Sequence, residues 1–212
     1  MHILGYGIDI NNIELNNKLE QLKKNNRNYI LTLIRQIKDD YNLEFQSNDI
    51  EELLNSRGNI GRPHIARLCV KYGYAKTVQD AFDKYLLDAY EKVRKIQYKL
   101  TYQECLQLIL NSGGIPVLAH PKTLKLSDEE LFSLIQKLIK DGLKGIEVYH
   151  STHSKAEEDK YLEIAKRLNL LVSGGSDYHG YTVKPDIQIG VGKGNLKIKK
   201  LSILNKIYNK NM

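Results

Sequence analysis

Gly174-Gly175-Ser176-Asp177-Tyr178-His179 follows the apolar run Leu170-Leu171-Val172, and this stretch indicates both a strand and a site at its end. The paired glycines allow close approach of the backbone. In an extended segment, residues two apart project to the same face, so Asp177 and His179 are expected to lie side by side. A carboxylate beside an imidazole is a donor pair typical of metal ligands. The stretch therefore predicts a strand that opens onto a metal site.

Strands and helices alternate from residue 101 onward. Strands are predicted over 115–119 and 145–149, and a helix precedes each predicted strand. Each helix opens with Ser or Thr followed three residues later by Glu, which is the pattern of a capping box. These pairs are Thr101 with Glu104, Ser127 with Glu130, and Ser154 with Glu157. Alternation of this kind is typical of βαβ units, so it predicts a parallel sheet or barrel.

Ligand-type side chains follow three successive predicted strands. His120 closes the first strand, His150 follows the second, and Asp177 with His179 follow the third. The carboxyl ends of parallel strands meet at one edge, where the sites of such folds gather. One histidine at a strand end is usually structural, but three such ends together favour a functional site. For His150 alone, ordinary loop polarity is the favoured interpretation.

The first hundred residues are organised differently. Residues 2–9 alternate and carry glycines, which predicts a strand that runs into a turn. Helical periodicity extends from Ile13 to Tyr41, and three shorter helical patterns follow. These patterns cover 49–55, 63–72 and 77–87. We therefore expect residues 1–11 and 101–212 to form the α/β part of the fold, with residues 12–100 as an all-helical insertion.

The composition is that of an ordinary globular protein, with 42% hydrophobic and 27% charged residues among 212. No apolar run approaches the length of a membrane span, and the first residues lack the features of a signal peptide. A cytoplasmic location with no membrane partner is expected. The net charge of +7 suits a polyanionic partner, but the lysines are scattered, which favours a solvated basic surface over a nucleic-acid track. Cys69 and Cys105 are far apart and indicate no disulfide framework and no cysteine zinc site.

Five segments of the sequence resemble motifs of the PHP superfamily, the polymerase and histidinol phosphatase type of metal-dependent phosphoesterase. The resemblance is in particular to its nucleoside bisphosphate phosphatase-like branch. The five segments stand in the family's order: His2-Ile3-Leu4-Gly5-Tyr6, Gly61-Arg62-Pro63-His64-Ile65-Ala66-Arg67, Gly113-Gly114-Ile115-Pro116-Val117-Leu118-Ala119-His120-Pro121, Gly145-Ile146-Glu147-Val148-Tyr149 and Gly175-Ser176-Asp177-Tyr178-His179. The resemblance covers nearly the whole chain. It implies an α/β fold that forms part of a distorted βα barrel, normally seven-stranded, with a helical insertion.

The resemblance also implies a set of metal ligands. His2 and His120 would bind one ion, Asp177 a second and His179 a third, as in relatives that hold up to three metals. Mixed histidine and carboxylate ligation suits manganese, zinc or ferrous iron. Clustered cations of this kind turn a bound water into hydroxide near neutral pH and neutralise charge on the phosphoryl oxygens.

Three further residues are candidates for contacts with a substrate phosphate, namely Arg62, Arg67 and His153. A guanidinium group pairs with two phosphate oxygens at once, and Arg62 also precedes a helix start, where backbone N–H groups favour anions. For Arg67 an exposed charge on a helix surface is an equal alternative. Glu147, on a buried strand, is expected to orient a ligand rather than to bind metal itself.

Complete relatives of this branch begin with a His-x-His strand and an Asp-His-Asp turn and carry a bridging glutamate, none of which occurs in this sequence. We therefore expect a chain that lacks the N-terminal third of the barrel, with impaired metal binding and hydrolysis. Self-association or pairing with a separate N-terminal segment is expected to cover the open barrel. The predicted function is metal-dependent hydrolysis of phosphate esters of nucleotides or short oligonucleotides. The alternative is an inactive fragment or a basic module that binds nucleic acid.

Overall fold

The computed structural model describes residues 1–56, 58, 60–181, 184–198 and 201–208, without the side chain of Tyr208. The chain divides into two compact units. One unit is Met1–Leu15 with Leu100–Met212, and the other is Asn16–Lys99. Within the described residues, no helix combines the length and the apolar character that a membrane crossing requires.

A four-stranded sheet forms the centre of the first unit. Its strands, in spatial order, are β1 (Ile3–Tyr6), β2 (Ile115–Leu118), β3 (Gly145–His150) and β4 (Leu171–Gly175). β2, β3 and β4 are parallel, which confirms the prediction from the alternating helices and strands. The carboxyl ends of these three strands therefore lie at one edge of the sheet. Closure of the sheet into a barrel stays a prediction.

β1 runs antiparallel to β2, with Ile3 opposite Leu118 and Tyr6 opposite Ile115. The start of β1 therefore lies beside the end of β2. The backbone continues this pairing by one step, because the N–H of Ala119 donates to the carbonyl of His2 at 3.1 Å. His2 is thus brought to the edge of the sheet by an antiparallel strand, whereas the other site residues reach it at the ends of parallel strands.

The second unit is helical. Its helices are α1 (Ile13–Tyr41, which begins in the first unit), α2 (Ser47–Asn55), α3 (Arg62–Lys71), α4 (Val78–Ala81), a π-helical turn (Phe82–Leu86), α5 (Leu87–Val93) and a 3₁₀ turn (Arg94–Ile96). The bounds predicted for α1 are confirmed. The predicted end of the last pattern near residue 87 is wrong, because the helical path continues to bury Ala89 and Val93. A π-helical turn places an extra residue in the helix and so shifts its buried face.

The remaining helices belong to the first unit. They are α6 (Tyr102–Asn111), a 3₁₀ turn (Pro121–Leu124), α7 (Asp128–Lys140), α8 (Lys155–Arg167) and α9 (Ser202–Tyr208). The three predicted capping boxes are confirmed at the starts of α6, α7 and α8. In each box the Ser or Thr oxygen accepts a backbone N–H and the glutamate returns a bond to the cap.

The sheet is covered on both faces. Leu118, Ile146 and Val148 pack in one cluster with buried residues of α7 and α8. Val117, which neighbours Leu118 and so points to the opposite face, packs in a second cluster with Ile203 of α9. Beside β4, the hydroxyl of Ser202 accepts the N–H of Val172 at 2.8 Å. These layers hold the strand ends in place, which is what a site at the edge requires.

Candidate metal centre

Four side chains with metal-ligand or phosphate-contact chemistry meet at the carboxyl edge of the parallel strands, namely His2, His120, His150 and Asp177. We call this set the donor edge. The ring centroids of His2 and His120 lie 4.9 Å apart, and those of His120 and His150 lie 5.6 Å apart. The Nε2 atom of His150 is 3.9 Å from Oδ2 of Asp177. The sequence-predicted ligands His2, His120 and Asp177 are thus brought to one place.

His120 is held in a single tautomer by Thr123. The Thr123 hydroxyl donates to the backbone carbonyl of His120 at 2.9 Å, so its oxygen accepts the Nδ1–H of the same histidine at 2.8 Å. The lone pair of His120 is therefore on Nε2. A neutral imidazole whose other nitrogen is tied by a hydrogen bond is the usual arrangement of a metal-binding histidine.

Nδ1 of His2 lies 3.0 Å from Nε2 of His120 and so donates its N–H to this lone pair, and a cation shared by the two rings would take the place of that proton. Two nitrogens that bind one tetrahedral zinc ion, at about 2.0–2.1 Å each, are separated by roughly 3.3 Å, so the pair fits a shared cation after a small movement. Burial, and after it the nearby His120, lowers the pKa of His2 and keeps its ring neutral, as metal ligation requires. Within the described ranges, no group of three or more His, Cys, Asp or Glu side chains is already arranged around a metal position. The pair fits a metal by donor type and spacing.

Glu147 supports the same pair from β3. Its Oε2 atom accepts the backbone N–H of His120 at 2.7 Å. That backbone has φ +27°, a conformation that few residues other than glycine adopt, and the carboxylate helps to hold it there. Burial raises the pKa of Glu147 to about 7, with the charge of Asp177 adding to the effect and the N–H of His120 opposing it.

Asp177 and His179 are close together, but the predicted extended conformation is wrong. Asp177 has φ +54°, so the chain turns at this residue instead of continuing the strand. His179 donates Nδ1–H to the backbone carbonyl of Asp177 at 2.7 Å, and the same nitrogen lies 3.5 Å from Oδ1. The tight turn therefore does what strand alternation was expected to do. It leaves Nε2 of His179, whose side chain is half exposed, with its lone pair.

Lys184 contacts Asp177 directly, with Nζ 2.5 Å from Oδ2. Burial by itself would raise the pKa of Asp177, but the hydrogen bond and the charge of Lys184 outweigh it, so the pKa lies below its usual value. Sequence reasoning did not find Lys184. Its only signal is a lysine seven residues after Asp177, in a chain where lysine is common.

His150 and His153 are both buried. The sequence pattern favoured an ordinary polar loop residue at His150, and the burial of this side chain differs from that expectation. Nδ1 of His150 accepts the backbone N–H of Thr152 at 3.2 Å and faces the Thr152 hydroxyl at 2.9 Å, which can donate to the same lone pair, so we assign the proton of this neutral ring to Nε2. His153 has the opposite tautomer, because its Nδ1–H donates to the carbonyl of Val148 at 2.7 Å. Both Nε2 atoms are buried and have no hydrogen-bond partner within the described part of the chain. Burial, and then the neighbouring His153, lowers the pKa of His150 to about 4, and burial also lowers that of His153.

The predicted phosphate contacts Arg62 and Arg67 belong to the helical unit. The guanidinium of Arg62 lies 4.0 Å from the ring centroid of Tyr90 and 5.7 Å from that of Phe82, at the start of α3. Arg67 is exposed on the same helix. Nδ1 of His64 accepts the N–H of Gly61 at 3.2 Å and so completes the helix start. Stacking fixes the plane of Arg62 and leaves its N–H edge for other partners.

Comparison with known proteins gives several relatives, although no protein-family model matches the chain. It is 37% identical over 87 residues to phosphoribosyl 1,2-cyclic phosphate 1,2-diphosphodiesterase of Eggerthella lenta, covering 41% of this chain and 31% of that protein. It is 29% identical over 179 residues to the 5'-3' exoribonuclease Rnm of Escherichia coli, covering 84% and 60%. It is 33% identical over 124 residues to 3',5'-nucleoside bisphosphate phosphatase of Chromobacterium violaceum, covering 57% and 42%. The chain thus spans at most 60% of the length of these relatives.

Two solved structures are similar over 99% of this chain and 71% of their own. One, named an amidohydrolase of Chromobacterium violaceum, has a TM-score of 0.72 at 23% identity and shows a shared fold. The other, named a metal-dependent phosphoesterase of Bifidobacterium adolescentis, has a TM-score of 0.63 at 27% identity. The chain therefore shares the fold of two larger proteins over nearly its whole length.

Proposed function

We propose that this chain, which belongs to the PHP superfamily of metal-dependent phosphoesterases, binds divalent cations at its donor edge and hydrolyses phosphate esters of nucleotides or short oligonucleotides. The observation that carries the proposal is the facing pair of His2 Nδ1 and His120 Nε2, 3.0 Å apart at the edge where parallel strands end. We assign one cation to this pair, a second to Asp177 and a third to His179. Manganese, zinc and ferrous iron all suit these donors.

The residues of the chain have separate tasks in this proposal. Thr123 keeps the lone pair of His120 on Nε2, and Glu147 holds the backbone of His120 in its turn. A bound divalent cation would supply an activated water and would neutralise the charge of the phosphoryl oxygens. His150 and His153 are buried and neutral, so they exclude water from one side of the donor edge. Electrostatic contacts in a site from which water is excluded are stronger than in water.

The substrate class is proposed from the named activities of the relatives, which act on a cyclic phosphate diester, on RNA and on a nucleoside bisphosphate. We propose Arg62, Arg67 and His153 as contacts to a substrate phosphate. A neutral His153 presents a lone pair at Nε2, so it would accept a hydrogen bond from a protonated phosphate or a ribose hydroxyl. His150, with its proton on Nε2, is the better donor to an anionic phosphoryl oxygen.

The test is hydrolysis of a nucleoside 3',5'-bisphosphate and of a short oligoribonucleotide by the full chain with Mn²⁺, Zn²⁺ or Fe²⁺. We expect weak turnover, because this sequence lacks several of the metal ligands that the resemblance implies, and we expect a chelator to abolish it and Asp177→Asn and His120→Ala each to reduce it at least about a hundredfold. Asp159→Asn is the matched control, because Asp159 is an exposed carboxylate on α8 that pairs with Lys155. Absence of both metal binding and turnover would overturn the proposal. Salt-sensitive RNA binding without turnover would favour the nucleic-acid-binding module instead.

A further inference from the structure

We infer that Lys184 and His150 form a phosphate-binding pair, and that Lys184 exchanges between Asp177 and a phosphoryl oxygen. The inference rests on the proposed function, in which Asp177 binds a cation. Lys184 then competes with this cation for Asp177, and release of Lys184 supplies a positive charge for the substrate. Metal loading and phosphate binding would thereby be coupled through one side chain.

Two donors converge on one oxygen of Asp177. Nζ of Lys184 lies 2.5 Å from Oδ2, and Nε2 of His150 lies 3.9 Å from the same atom. The carboxylate oxygen accepts from the ammonium group and lies near the imidazole nitrogen, although beyond hydrogen-bond distance of it. A phosphoryl oxygen has the same charge and the same acceptor character, and lysine binds phosphate as a point charge. The carboxylate thus stands where a phosphoryl oxygen would find both donors.

The imidazole half of this pair is built into the fold. His150 closes β3 with only 2% of its side chain exposed, and its Nδ1 already accepts the N–H of Thr152. Among the residues that the structure describes, its Nε2 proton has no acceptor within hydrogen-bond distance. A buried donor without a partner is costly unless something else uses it. An anionic oxygen that moved from 3.9 Å to hydrogen-bond distance would satisfy it.

The ammonium group of Lys184 contacts Asp177 at a partly exposed position, both at Oδ2 and, at 3.4 Å, at the backbone carbonyl. The side chain of Lys184 is 38% exposed, and that of Asp177 is 29% exposed. Ion pairs at such positions are weakly held, and a lysine side chain has four flexible carbons that can carry the ammonium group to a new partner. The contact with Asp177 is therefore one that a stronger charge can replace.

A divalent cation is that stronger charge. It would approach a carboxylate oxygen to about 2.0–2.2 Å, which would bring it within about 5 Å of an ammonium group bound to the same oxygen. Two cations so close repel each other, so a metal ion at Asp177 favours the departure of Lys184. A phosphate group bound to the metal would then receive the ammonium group. Linkage requires that phosphate and metal promote each other's binding.

The first arm of the test needs no metal. Inorganic phosphate is titrated calorimetrically into the full chain in the presence of a chelator. Asp177→Asn frees Lys184, so we expect this variant to bind phosphate at least about fivefold tighter than the wild type, and the double variant Asp177→Asn with Lys184→Met to lose the gain. Asp177→Ser serves if the asparagine variant melts early. An unchanged affinity in Asp177→Asn, or a gain that survives Lys184→Met, would overturn the inference.

The second arm is a Mn²⁺ titration without phosphate. We expect Lys184→Met to bind Mn²⁺ at least about fivefold tighter than the wild type, and added phosphate to tighten Mn²⁺ binding only where Lys184 is present. Lys193→Met is the matched control, an exposed lysine of the described segment 184–198. Equal or weaker Mn²⁺ binding by Lys184→Met would refute the competition. If neither protein binds Mn²⁺, the proposed function and the competition both fall, while the first arm still decides the exchange.

Discussion

Replacement of Glu157 by glutamine should lower the free energy of unfolding at neutral pH, and the loss should shrink in acid. Oε2 of Glu157 accepts the N–H of Ser154 at 2.7 Å, the hydroxyl of Ser154 at 2.9 Å and the ammonium of Lys122 at 2.9 Å. Lys122 also donates to the carbonyl of Thr152 at 3.0 Å. This carboxylate therefore joins the turn after β2 to the loop that carries His153.

The magnitude follows from the pKa of Glu157. Burial would raise it, but the bonds from Ser154 and Lys122 outweigh burial and lower the pKa from 4.5 to about 2. Each pKa unit corresponds to about 1.4 kcal/mol, so ionised Glu157 contributes at most about 3.5 kcal/mol to stability. Glutamine keeps an acceptor oxygen for the capping box. We therefore expect Glu157→Gln to cost about 2 kcal/mol at pH 7.

The sign of the pH dependence is set by a folded pKa below the unfolded one. The folded state then holds fewer protons, so the contribution of Glu157 is complete above pH 4.5 and is lost as the pH falls from 4.5 toward 2. Less than half of it should remain at about pH 3. Urea unfolding of the wild type and Glu157→Gln at pH 7, 5, 4 and 3 measures this difference directly.

Glu130→Gln is the matched control for this prediction. Glu130 closes the box at the start of α7 with a 2.8 Å bond from the N–H of Ser127, and among the described residues no lysine pairs with it. Its replacement should cost no more than about 1 kcal/mol. An equal loss in the two variants at pH 7, or a loss in Glu157→Gln that stays constant down to pH 3, would refute the role given to Lys122 and to the charge.

Thr123→Val should weaken Mn²⁺ binding about 10- to 100-fold in a calorimetric titration, because Nδ1 of His120 loses its acceptor. The control Thr32→Val, on the exposed side of α1, should leave Mn²⁺ binding unchanged. Gly145→Ala should lower the free energy of unfolding by about 1–3 kcal/mol in urea, because the new Cβ would lie 2.9 Å from a backbone carbonyl of β4; an unaffected midpoint would contradict the tight packing of these strands. Burial raises the pKa of Cys69 to about 11, so iodoacetamide at pH 8 should label this thiol only as urea unfolds the protein. Mass spectrometry follows the labelling, and rapid labelling of the native chain would contradict the burial of Cys69 in α3.

Local signals in the sequence were sufficient for much of the fold. The capping boxes at Thr101, Ser127 and Ser154 predict helix starts because their bonds connect residues three apart. The alternation of these helices with apolar runs also predicts the parallel order of β2, β3 and β4. The π-helical turn at Phe82–Leu86 was not predictable in this way, because tertiary packing of the residues after it decides where the helix shifts its face.

The candidate site was predictable in part. Strand ends point to His120 and Asp177, but the side-by-side placement of Asp177 and His179 comes from a backbone turn with φ +54° and not from strand alternation. The burial of His150 was underestimated, since a polar residue at the end of a strand gives no sign of what will cover it. Thr123 had a local signal, three residues after His120, that sequence reasoning did not use.

The sequence by itself determined the starts of the capped helices, the order of the strands along the chain and the presence of ligand-type residues at three strand ends, because all of these depend on bonds between near neighbours and on apolar periodicity. Only the tertiary structure decided that His2 faces His120 across 118 residues of sequence, since this contact depends on the antiparallel pairing of β1 with β2. It also decided that Lys184 contacts Asp177 and which ring nitrogens of His120, His150 and His153 meet a hydrogen-bond partner. These partners are two to seven residues away, but they reach the side chains only because the backbone turns after each strand, and apolar periodicity does not specify those turns.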